Sequence, residues 1–265
     1  SGNAPLFGDN DDGRILPFVE RQFYDHRYLL DIASKVLGNN SYKNRIGNVL
    51  DTIYFTASED KGLIHTSGND DVKMYQDAGF AILRNSTMYT MFSNTGISRY
   101  LTPQMRKAPK IGTHTHLDAL TFELSAGTSD FIVDAGSYTY TSDKPKRDEY
   151  RSTAKHNTLT INGCSQYTIN ENDYFCFKGK YEDPQPIAYC KNEGNETVTS
   201  AFHWHLKEHE AEHRRSISLR ENEVCIHDQV TAKTDNTNSY EWNFYLAADI
   251  TTNISSEGIE LRSSQ

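Results

Sequence analysis

The sequence predicts a mainly β protein: an antiparallel β-sandwich preceded by the last turns of a helical domain. Three observations carry this. Helical periodicity is confined to the part before about residue 70. Beyond it come short runs rich in β-branched and aromatic residues, broken by Gly, Asn, Asp and Ser. No helical pattern separates those runs, which excludes a parallel α/β sheet. The expected division is 1–70 for the helical end and 71–265 for the sandwich, within a 265-residue chain long enough to bury a sizeable core.

The first element is read from "DHRYLLDIASKVLG", where Leu29, Leu30, Ile32, Ala33, Val36 and Leu37 fall at helical spacing, with Asp25 placed to cap the start and Gly38 to end it. A second helix is expected in "KNRIGNVLDTIYF", from Ile46, Val49, Leu50 and Ile53. Strands follow in "GFAILRN", "TMYTMFS", "DFIVDAG", "HNTLTING", "DYFCFKGKY", "RRSISL", "EVCIHDQV" and "EWNFYLAAD". No internal repeat or low-complexity tract interrupts them.

A net charge of −9 argues against a nucleic-acid partner, and no run of about 18 apolar residues exists to span a bilayer. The opening "SGNAPLFGD" begins abruptly, so the lack of a targeting segment carries no weight. Four cysteines, Cys164, Cys176, Cys190 and Cys225, lack C-x-x-C spacing and are expected to be buried thiols; Cys176 and Cys190 could meet across a hairpin and pair in an oxidising compartment.

Chemistry concentrates in "GTHTHLDALTFEL". If this stretch is extended, His114, His116 and Asp118 share one face and Thr113, Thr115 and Leu117 the other. Such a row suits metal binding, acid/base chemistry or both; a solvated strand face is the plain alternative. Downstream, Asp134 closes an apolar strand and His156, followed by Asn157, opens another. Two imidazoles and a carboxylate are a common ligand set for a divalent ion, with zinc favoured by the nitrogen donors. Basic residues flank the region: Arg106, Lys107, Lys110, Lys144, Lys146, Arg147, Arg151 and Lys155. On an acidic chain they would focus positive potential on an anionic substrate, with Arg147, Arg151 and Lys155 as the expected substrate-binding set, or else form a solvated loop.

Together, "HTHLDALTFEL", "VDAGSYTY" and "YRSTAKHNTLTING" resemble, in order, the C-terminal β-sandwich signature of heparinase II/III-type polysaccharide lyases. The resemblance covers about residues 75–250, and "FGDNDDGRILPF" with the helix after it resembles the end of the α/α toroid that precedes the sandwich in such enzymes. It implies a catalytic, substrate-facing His114, a divalent metal on His116, Asp134 and His156, and an additional site tyrosine at Tyr138 or Tyr140. It also implies β-elimination on a uronate-containing glycan, which needs carboxylate neutralisation, a base at C5 and an acid at the glycosidic oxygen. The family's main acid/base tyrosine and its asparagine belong to the toroid. An isolated sandwich is therefore expected to be inactive, with the N-terminal helical domain of the same protein as its partner. A bacterial source and a periplasmic or extracellular location follow from the same resemblance.

Two other readings compete. "HTHLD" is similar to the first metal motif of amidohydrolases, but only about 150 residues follow His116 and they read as successive strands, not as a (β/α)8 barrel. A non-catalytic glycan-binding or polysaccharide-assembly sandwich would carry the same strands. Among the minor motifs, "DNDDG" places its glycine one position too early for a calcium loop and is expected to be a loop near the cleft. "FHWHLKEHEAEHRR", with His203, His205, His209 and His213, is expected to form an exposed strand pair, and the sequons at Asn85 and Asn195 carry little weight in a bacterial protein.

Overall fold

A computed structural model describes residues 3–9, 25–38, 54, 71–96, 114–179, 184–206 and 209–264. The chain divides into two compact units, one of residues 1–5 and 11–69, the other of residues 6–10 and 70–265. Residues 6–10 thus belong with the strands, although they precede the helical stretch in sequence.

In the first unit, helix α1 spans Tyr28–Leu37. It ends as expected at Gly38, which is left-handed (φ 63°) and donates its backbone N–H to the Ser34 carbonyl. Its start differs. Arg27 holds the N-cap position with no side-chain cap, and Asp25 instead accepts from the Arg27 side chain at 2.7 Å and from its backbone N–H at 3.1 Å. The second expected helix lies outside the described residues, apart from Tyr54.

The second unit is the expected antiparallel sandwich. One sheet has five strands in sequential order: β1 (Asp71–Tyr75), β2 (Phe80–Arg84), β3 (Met88–Ser93), β4 (Phe122–Ala126) and β5 (Ser129–Ile132). After it come helix α2 (Lys144–Arg151), a 3-10 turn at Thr153–Lys155, and the short strands β6 (Leu159–Ile161), β7 (Thr168–Ile169) and β8 (Phe177–Lys178). The other large sheet has the order β12-β11-β10-β9, from β9 (Ala188–Asn192), β10 (Asn195–Leu206), β11 (His209–Arg220) and β12 (Glu223–Ala232). Strand β13 (Tyr240–Trp242) pairs with β6, and β14 (Ile250–Ser255) forms a hairpin with β15 (Gly258–Ser263).

Period-two alternation explains how the layers meet. Ala81 and Leu83 of β2 and Val198, Phe202 and Trp204 of β10 point inward, and they join Phe92, Phe122, Leu159, Ile217 and Leu219 in one core. Trp204 lies edge-on to Phe202, with ring centroids 5.9 Å apart. The cysteines depart from expectation: all four are free thiols, Cys176 is buried, and Cys190 and Cys225 are exposed because they sit on the edge strands β9 and β12.

Candidate active site

The His-x-His segment is not a strand. Residues 114–121 form an irregular turn that enters β4 only at Phe122, with Leu120 in the left-handed region at φ 65°. Alternation therefore fails. His116, Leu117, Asp118, Ala119 and Leu120 are all buried in succession, while the His114 side chain is 53% exposed. Backbone bonds from Leu117 N–H to the Arg151 carbonyl (2.9 Å) and from Thr121 N–H to the Asp118 carbonyl (3.0 Å) hold the turn. The two histidines part as a result: His114 faces solvent and His116 the interior.

His116 meets Asp9, the first residue of the "DNDDG" stretch expected near the cleft, for which the sequence offered no role. Its Nε2 lies 3.1 Å from Asp9 Oδ1, and Asp9 also accepts two parallel bonds from Arg147, 2.6 Å from Nη1 and 2.5 Å from Nη2. Burial pushes the Asp9 pKa up, but bonds from His116 and Arg147 outweigh it and hold the carboxyl below its usual range. Burial dominates at His116, pushing its pKa down to about 4, so the imidazole is neutral near pH 7. His156, fully buried, sets its Nδ1 2.6 Å from Asp134 Oδ2, and Asp134 Oδ1 accepts the Gly136 N–H at 2.9 Å. Burial lowers the His156 pKa, but the charge and hydrogen bond of Asp134 win and raise it overall.

The rings of His116 and His156 are 5.2 Å apart. His116 Nδ1, His156 Nε2 and Asp118 Oδ1 are buried and make no hydrogen bond of normal geometry. Burial also pushes the Asp118 pKa up to about 6. Among the described residues no three His, Cys, Asp or Glu side chains converge as a metal cage. In the expected ligand triad, Asp134 is bonded to His156 and so orients that ring. The donor chemistry still suits a divalent ion: each imidazole holds one nitrogen against a carboxylate, His116 Nδ1 makes no hydrogen bond, and His156 Nε2 makes none of normal geometry, although the Tyr150 backbone also interacts with that ring and raises its pKa.

The expected substrate-binding arginines are corrected. Helix α2 is capped by Asp143, which accepts from Lys146 N–H at 3.0 Å. Arg147 and Arg151, four positions apart, share its inner face and are fully buried. Arg147 is committed to Asp9 and to the Tyr174 carbonyl (3.1 Å). Arg151 bonds the same carbonyl and lies 4.2 Å from the Phe177 ring centroid, with burial and then the Arg147 charge pushing its pKa down to about 10. Neither guanidinium faces solvent. Lys155 is partly exposed and pairs with Glu149 at 3.0 Å, and Glu149 also holds Lys146 at 2.8 Å. Arg106, Lys107 and Lys110 lie outside the described residues.

The two candidate tyrosines also separate. Tyr140 stacks on His114, ring centroids 5.3 Å apart and planes 5° from parallel, with the Arg147 guanidinium 4.8 Å from its centroid. Tyr138 has φ 54°, is 68% exposed and packs on Tyr150 at 5.3 Å.

Asn157 and Thr158, which follow His156, fasten the site to the core. Asn157 Nδ2 donates to the Phe122 and Val133 carbonyls at 2.9 and 3.0 Å, its Oδ1 accepts from Tyr245 N–H at 2.6 Å, and Thr158 Oγ1 donates to the Ala119 carbonyl at 2.9 Å. Behind them, the expected exposed strand pair is corrected at His213 and Arg215, both fully buried. Arg215 binds Asp228 with two bonds of 2.8 and 2.9 Å, and His213 Nε2 lies 2.6 Å from the same carboxylate.

The family model of the heparinase II/III-like C-terminal domain matches residues 67–265, and the chain belongs to that family. Among solved structures it resembles heparan sulfate lyase from Pedobacter heparinus, at 18% identity and TM-score 0.58, covering 96% of this chain and 33% of that one. It also resembles two heparinase III structures, at 18% identity with TM-score 0.60 and at 18% with TM-score 0.55, covering 96% and 97% of this chain and 33% and 35% of theirs. The sandwich fold is common to all of them, and the chain spans about a third of their length. No curated protein matches it.

Proposed function

We propose that this chain supplies the sandwich side of a polysaccharide lyase that cleaves a uronate-containing, heparan-type glycan by β-elimination. The observation that carries the proposal is the placement of His114: exposed on one side, stacked on Tyr140, and next to a buried row of histidines and carboxylates. An imidazole so placed can meet the uronate carboxylate or take the C5 proton, while Tyr140 fixes its ring plane. Lys155, at the rim, is the remaining candidate for an anionic group on the sugar. The acid at the glycosidic oxygen is assigned to the helical domain of the full-length protein, so the sandwich alone is inactive.

A divalent ion, zinc by donor type, would be held by His116 Nδ1 and His156 Nε2, with Asp134 and Asp9 orienting the two rings. There it would stiffen the segment that carries His114.

The test compares two variants of the full-length protein, reading turnover on heparan-type polysaccharide from the ultraviolet absorbance of the unsaturated uronate. His114→Ala should lower kcat by at least about 100-fold with metal content and Tm unchanged. His116→Ala should lose metal and stability first. Loss of metal in His114→Ala with retention in His116→Ala would reverse the two roles. Full activity in both would sink the assignment of the reaction to His114, and no unsaturated uronate from the wild type would sink the lyase reading.

A further inference from the structure

We propose that Asp9 is a positioning residue for His114 and His116, delivered to the site by a strap formed from Leu6 to Asp9. The kinetic part of its test rests on the lyase reading above.

The strap is docked along its whole length. Leu6 N–H donates to Glu123 Oε1 at 3.0 Å, Phe7 packs on Phe80 with ring centroids 4.5 Å apart, and Asp9 N–H donates to the His114 carbonyl at 2.9 Å. Gly8, at φ 57°, passes so close that a Cβ on it would lie 2.0 Å from the His114 carbonyl oxygen. The backbone of His114 is therefore set by the strap.

The Asp9 carboxylate then reaches both histidines. Oδ1 takes the His116 Nε2–H, and Oδ2 lies 3.8 Å from His114 Nδ1. That second separation is too long for a direct hydrogen bond and suits a bridging water or a contact that tightens with substrate bound. Two parallel bonds from Arg147 fix the plane of the carboxylate, and the same guanidinium lies over Tyr140, the ring stacked on the other side of His114. His114, on an irregular turn and half exposed, would otherwise be free to rotate. Asp9 on its Nδ1 edge and Tyr140 on its face restrict it to one orientation, which is preorganisation of a reacting group.

A purely structural role would have Asp9 only neutralise buried Arg147. Asp9→Leu combined with Arg147→Met separates the two, because exchanging a buried ion pair for apolar side chains of similar size commonly preserves stability. In the full-length protein acting on heparan-type polysaccharide, this double variant should keep Tm within a few degrees and KM within about threefold, and lose kcat by about 10-fold or more. Asp9→Glu, which keeps the carboxylate, should recover most of that loss. Nitrogen-15 spectra of the histidines, taken on metal-free protein, should show His116 as the Nε2–H tautomer in the wild type and as a mixture in the double variant. If the double variant does not fold, Asp9→Asn replaces it with the same expectation for kcat, and Asp9→Ala supplies the tautomer measurement. Wild-type kcat in a folded variant lacking the carboxylate, or an unchanged His116 tautomer, would overturn the proposal. If the wild type eliminates no uronate glycan, the lyase reading fails and the tautomer measurement alone judges Asp9.

Discussion

Arg215 on β11 reaches across the sandwich to donate to the carbonyl of Asn157, at 2.5 Å, next in sequence to His156. The same Nη1 donates to the Leu120 carbonyl at 2.8 Å, within the turn that follows His116. One buried cation thus ties together the two segments that carry the site's inner histidines. Its own charge is balanced by Asp228 from the neighbouring strand.

Arg215→Met should destabilise the protein by about 3–5 kcal/mol, since it takes the donor from two carbonyls and leaves the Asp228 carboxylate with His213 but without its cation. Urea unfolding monitored by tryptophan fluorescence checks this. A loss below about 1 kcal/mol would mean that water replaces the guanidinium.

Asp228 makes that network sensitive to acid. Burial raises its pKa, but hydrogen bonds from His213 and Arg215 bring it down from 3.8 to about 2. A depressed carboxylate contributes stability above its unfolded pKa and loses it as pH falls through the folded value. Asp228→Asn should therefore lower Tm near pH 7, with the gap to wild type closing between about pH 4 and pH 2. A constant gap across that window would contradict the assignment.

Glu123 should act in the opposite sense. Burial pushes its pKa from 4.5 up to about 8, although it accepts backbone N–H groups from Leu6 and Asp134. Between those two values the unfolded chain has released a proton that the folded chain retains, so stability falls as pH rises. Glu123→Gln should remove this slope and gain Tm relative to wild type at pH 8. Parallel Tm curves for the two proteins from pH 5 to pH 8 would refute it.

Gly8→Ala tests the strap. A methyl group 2.0 Å from the His114 carbonyl, on a residue at φ 57°, forces the strap outward. The variant should lose about 2 kcal/mol or more of stability, measured by denaturant unfolding. An unchanged unfolding midpoint would show that the strap detaches at no cost.

The fold was legible wherever the signal is local. Alternation along β2 and β10 reveals their inward residues, and Gly38 marks the end of α1 where it falls. The sequence was misleading at His114–Thr121, because Leu120 turns the backbone left-handed and six consecutive residues, His116 to Thr121, become buried, which no period of two describes. Arg147 looked like a cation for substrate because its partner is 138 positions away, and Asp9 itself is 107 positions from His116. A hydrogen bond over such a separation leaves no trace in spacing. Arg215 was hidden in the same way among the histidines of β10 and β11: its ring of acceptors is drawn from Leu120, Asn157 and Asp228, three separate parts of the chain.

The early placement of Asp9 bears on how the protein can be dissected. A sandwich cut out at residue 71 would be missing the Leu6–Asp9 segment and would take from the buried Arg147 guanidinium its two parallel bonds to the Asp9 carboxylate. Leu6–Asp9 therefore serves the β unit much as a tenon serves a joint, formed in one piece of the chain and seated in another. A recombinant sandwich should regain its native melting behaviour only when that short segment is grafted back or supplied as a separate peptide.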